Sequence, residues 1–141
     1  MIHEKNVRYF HMKISIEVAD SALVAMFVIS GITKVMTLGA SEADRFAEKT
    51  GFKKYAQYVV FLAGVIELYR AFMILQGVWQ DNVSRNASLK RVHHGSNVLV
   101  IFTVAATLIF YLKPFKYKPT LANMTTIAGL LLLPQVWELK H

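Results

Sequence analysis

The chain has 141 residues, room for one domain and no second, and 55% of them are hydrophobic against only 18% charged. The absence of cysteine excludes disulfides, thiolate metal sites, iron–sulfur ligation and a cysteine nucleophile. Sixteen Lys and Arg against nine Asp and Glu give a net charge of +7. No arginine-rich stripe interleaved with aromatics accompanies it, so basic loops beside anionic headgroups fit better than nucleic-acid binding.

In chain order, residues 1–13 mix charges of both signs with aromatics and histidines and lack the short apolar core and small-residue cleavage site of a signal peptide. The first apolar run then acts as an uncleaved anchor. It covers residues 21–38, SALVAMFVISGITKVMTL, with Asp20 or Ser21 placed to cap its start. Within residues 39–57, ASEADRFAEKTGFKKYA reads as an amphipathic helical turn ending at Gly51. The second run, residues 58–79, contains VVFLAGVIELYRAFMILQGVW. After a polar, basic stretch comes the third run, residues 95–112, reaching back toward His93. A tight turn around Pro114 leads to the fourth, residues 120–137, with Pro119 where a helix start tolerates it.

A bilayer's hydrocarbon core takes about 20 apolar residues in helix, and four such runs exceed what the polar surface of a small soluble bundle could cover. Tyr55, Tyr58, Trp79, Tyr111 and Trp137 stand near the ends of the runs, as an interfacial aromatic belt would. The expected fold is therefore an all-α membrane protein, four transmembrane helices in an up-down-up-down bundle, because short loops make successive helices antiparallel neighbours. The basic residues outside the spans divide evenly between the two sides, so the Lys/Arg bias assigns no orientation.

The informative residues are charges inside the runs. Glu67 lies near the centre of the second, with Arg70 three residues on. The apolar residues of that run favour insertion by roughly 3–6 kcal/mol and the two charges oppose it by about 5–7 kcal/mol, which nearly cancels. The charges must then be paired, or face other helices or water. Lys34, in the second half of the first run, lies at the right depth to reach Glu67 in an antiparallel neighbour. Lys34, Glu67 and Arg70 form either a buried ion network that fixes helix register or the lining of a polar cavity for a headgroup, quinone or proton. His93 and His94 precede the third run; adjacent histidines point in different directions on a helix, so no metal site is expected.

Two segments resemble the DoxX-like family of small four-span membrane proteins. Ser30-Gly31-Ile32-Thr33-Lys34-Val35 looks like the end of that family's first span, and Gly64, Glu67 and Gly77 match its second, preceded by the Gly51-Phe52 turn. Where the family carries small residues after the Glu, this chain has Arg70 before Ala71. The resemblance implies a helper within a larger membrane assembly, as in quinone-linked sulfur oxidation, redox-stress complexes or receptor chaperoning.

The expected function is an accessory or structural subunit with no catalysis of its own, partnered by the lipid bilayer and by other membrane subunits or further copies of itself. The alternative is a redox-linked protein binding a quinone-like lipid near Glu67, Arg70 and His93. A small transporter is weaker, since no pair of discontinuous helices is visible.

Overall fold

The computed structural model describes the backbone of residues 2–79, 84–111 and 115–140, and the side chains within 17–138 of these. It is helical throughout: α1 (Ile2–Met36), α2 (Ala40–Thr50), a 3-10 turn (Lys53–Tyr55), α3 (Ala56–Trp79), α4 (Arg85–Tyr111) and α5 (Tyr117–Lys140). No strand occurs among the described residues. Leu112, Lys113 and Pro114, where the tight turn was expected, lie outside them.

Two expected helix starts are corrected. Asp20 and Ser21 do not cap the first helix; α1 runs unbroken from Ile2, and Asp20 is buried within it. An Asp caps only where the preceding chain leaves the helix, and Ile14 to Ala19 contains no Gly or Pro to make it leave. The third helix begins at Arg85 rather than near residue 95, because Ser88 and Val92 extend its packed face.

α1 ends where Leu38 (φ 50°) and Gly39 (φ 83°) turn left-handed, with Gly39 N–H donating to Lys34 O at 2.7 Å. A Cβ on Gly39 would overlap the Gln57 carbonyl, so the turn rests directly on the start of α3. Gly51 closes α2 with φ 79° and an N–H donated to Ala47 O, as the sequence predicts. Nothing stands near a Cβ there, so only the backbone angle asks for glycine.

α1 packs along α3, α3 against α4, α4 against α5, and α5 touches α1; α2 lies across α3. Gly31 meets Gly64 O and Leu68, while Trp79 Nε1–H donates to Ser21 Oγ at 3.0 Å, which makes α1 and α3 antiparallel. Gly77 against Ser88 and Gly95 against Arg70 O do the same for α3 and α4. Small residues at these crossings let backbones approach closely. Val24, Phe27, Ile74, Leu99, Leu130 and Leu133 fill the centre.

Three helical stretches are long and apolar enough to cross a membrane: Glu17–Met36, Lys53–Trp79 and Arg85–Tyr111. Only 28% of each apolar window is buried inside the protein, so most of its hydrophobic surface, including Ile29, Leu62, Phe72 and Ile101, faces outward. Water would not tolerate that much contiguous apolar surface, and lipid would. α5, broken by Asn123, Pro134 and Gln135, does not reach the same mark.

Candidate functional site

The close crossing at Gly31 and Gly64 brings the next turn of each helix together. Lys34 is one turn past Gly31 and Glu67 one turn past Gly64, so the two side chains meet across the narrowest part of the α1–α3 interface. Lys34 Nζ donates to Glu67 Oε1 at 2.8 Å and to Ser30 Oγ at 2.8 Å. Lys34 is 6% exposed and Glu67 2%. Among the described residues Glu67 Oε2 has no hydrogen-bond partner.

A second acid completes the cluster: Glu42, on α2, brings Oε2 to 3.8 Å from the same ammonium. The centroid of the Phe102 ring lies 5.4 Å from it. One cation thus serves two carboxylates, a hydroxyl and an aromatic face. Sequence reasoning missed Glu42, because only the fold-back of α2 at Gly39 carries it over the end of α1. The available signal was its place in the first turn of an amphipathic segment flanked by two glycines.

The cluster forms one wall of a cavity of about 340 Å³ between α1, α2, α3 and α4. Met26, Phe27, Val60, Ala63, Phe102 and Ile109 supply most of the remaining lining, and Asn123 joins from α5, its Nδ2 donating to Thr107 Oγ1 at 2.9 Å. α2 roofs the cavity through Arg45 and Phe46. The Arg45 guanidinium carbon lies 5.2 Å from the centroid of the Phe110 ring and 5.4 Å from that of Tyr111. A more open hollow beside it shares Met26, Ser30, Lys34 and Glu42.

Arg70 and His93 stand elsewhere. Arg70 lines neither hollow; its Nη1 points to Met73 Sδ at 3.3 Å and its charge lies 5.2 Å from the Tyr69 ring. His93 is exposed on α4. Among the described residues no hydrogen bond or ion pair joins either to Glu67, and neither lines the cavity that Glu67 lines. No group of three His, Asp or Glu among the described residues is placed to hold a metal ion.

Chemically, the Lys34 cluster can hold helix register or polarise the cavity wall. Set against protein-family models, curated proteins and solved structures, the chain matches none.

Proposed function

We propose that the chain is a four-span integral membrane protein, in up-down-up-down order, acting as an accessory subunit of a larger membrane assembly. The observation that carries this reading is Arg70. It precedes Trp79, at the end of α3, by nine residues, or about 14 Å of helix, near the middle of a ~30 Å hydrocarbon layer. Its contacts are a thioether and the ring of Tyr69, which is 58% exposed, and no carboxylate meets it among the described residues.

A charge at that depth opposes insertion by about 2.5–3.5 kcal/mol. A carboxylate on a neighbouring transmembrane helix would remove the cost, and with it supply a reason to associate. The partner is accordingly a membrane helix with Asp or Glu near its centre. The resemblance to the DoxX-like family points the same way.

α5 joins as the fourth span because two of its polar residues, Asn123 and Thr126, are satisfied within the bundle and the stretch around Pro134 packs inward. Asn123 bonds Thr107, the Thr126 hydroxyl donates to Ala122 O, and Leu130, Leu133, Pro134 and Trp137 are buried.

Native mass spectrometry of the protein released from its own membranes tests the proposal. The expected result is a stoichiometric membrane partner, or a further copy of this chain, that Arg70→Leu releases. Reversing the charges, with Arg70→Asp against Arg at the partner's acid, restores the complex. A wild-type chain without partners, or a complex indifferent to Arg70→Leu, overturns it.

A further inference from the structure

The cavity beneath α2 has its own chemistry, independent of the Arg70 face. Its mouth lies at one end of the bundle, where α1 finishes, α3 begins and α4 reaches Tyr111. From Tyr111 back to Phe102 its wall on α4 runs nine residues, about 14 Å of helix. The pocket therefore extends from the membrane interface toward the bilayer centre. Its lower part is apolar apart from Ser30, Thr103 and the Lys34–Glu67 pair, whose charges already neutralise each other.

At the mouth the balance differs. Arg45 holds no carboxylate among the described residues. Glu42, one turn before it on α2, turns to Lys34 instead. The guanidinium carbon lies 5.2 Å from the Phe110 centroid and 5.4 Å from that of Tyr111, so two aromatic rings hold the cation at the mouth. A ring offers the cation no lone pair for its N–H groups, and with no carboxylate on Arg45 among the described residues its fork of donors matches a carboxylate or phosphate.

We infer that this cavity binds a single-chain anionic amphipath, its carboxylate or phosphate head on Arg45 and its hydrocarbon tail running inward past Ala63 and Phe102 toward Phe27. The volume of about 340 Å³ lies at the low end of the roughly 300–1,000 Å³ usual for ligand pockets. That is room for one chain and not for the two of a diacyl lipid. A neutral head would leave the guanidinium as unpaired as it is now, so head charge decides affinity.

The test uses the full chain in nanodiscs of zwitterionic lipid, with dodecanoate, dodecyl phosphate and dodecanol as probes and binding read by native mass spectrometry. Losing a charge-assisted bidentate contact is worth about tenfold or more in affinity. At least one of the two anions should therefore bind about tenfold more tightly than dodecanol, and which of them binds better assigns the source, free fatty acid or phosphate lipid. Arg45→Gln, at an exposed position that leaves the core untouched, should abolish the difference, and Arg45→Lys should retain part of it. Ala106→Phe, filling the cavity, should exclude all three probes. Equal binding of dodecanol and both anions, indifference to Arg45→Gln, or no binding at all overturns the assignment.

Discussion

Replacing both members of the Lys34–Glu67 pair should cost far less than replacing either one. The pair is almost fully buried, with Nζ and Oε1 2.8 Å apart. Removing one partner of a buried pair strands the other and costs about 3–5 kcal/mol, whereas an apolar replacement of both is neutral or stabilising by about 1–4 kcal/mol. The structure also makes the two single substitutions unequal. Glu67→Leu leaves Lys34 with Ser30 Oγ at 2.8 Å and Glu42 at 3.8 Å, so its cost falls to the lower end, about 3 kcal/mol. Lys34→Met leaves Glu67 buried without its cation and close to Glu42, and falls at the upper end, about 5 kcal/mol. Glu42→Gln, removing an acid that is 41% exposed, should cost about 0–1 kcal/mol. Equilibrium unfolding in mixed micelles, read by tryptophan fluorescence, measures all four variants. A Lys34→Met/Glu67→Leu double variant as unstable as the two single losses added together would refute the reasoning, because the two residues would then be contributing separately.

The turns bracketing α2 should respond unequally to alanine. Gly51→Ala faces only left-handed backbone strain, about 1–2 kcal/mol, while Gly39→Ala adds overlap with the Gln57 carbonyl and should cost more; comparable losses in the same unfolding assay would remove the distinction. Gly64→Ala would bring a Cβ to 2.6 Å from Lys34 Cβ and 3.1 Å from Gly31 O, forcing α1 and α3 apart. The expected loss is about 1–3 kcal/mol, together with a cross-link between cysteines at 27 and 71 that forms more slowly than in the parent. Four spans require both ends of the chain on one side of the membrane, so reporters fused to each end should show the same accessibility; opposite accessibility would withdraw α5 as a span.

The four long helices were legible because apolar runs are read from length and composition, although the fourth run, interrupted by Asn123, Pro134 and Gln135, falls short of the other three. The pairing of Lys34 with Glu67 could be expected from depth alone, once α1 and α3 were antiparallel. Helix starts were less legible: Asp20 has the chemistry of a cap without a chain break before it, and no local signal distinguishes the two cases. Arg70 illustrates the limit of spacing. Three residues on from Glu67 is roughly 60° of helix rotation short of a full turn, which at the edge of the α3 interface is enough to turn one side chain into the cavity wall and the other away from it. Glu42 and Arg45 read as loop charges because their role depends on Gly39 pressing against α3, a contact between residues 18 positions apart.

The unbroken length of α1 has a mechanical consequence. Residues Glu17–Met36, 20 in number, suffice for the hydrocarbon layer, leaving residues 2–16 to continue the same helix beyond it. With Glu17–Met36 across the hydrocarbon layer, as the proposed function has it, 1.5 Å per residue makes this a post of about 22 Å outside the bilayer. Its far end is then about 37 Å from the bilayer centre, so a 10° change in the tilt of α1 would displace it by roughly 6 Å, against an average tilt of about 20° for membrane helices. α1 is thus a lever whose short arm ends at the Lys34 cluster and the roof of the cavity. A slight rearrangement there, below the resolution of most probes inside lipid, would be read at the post as a movement the width of a side chain.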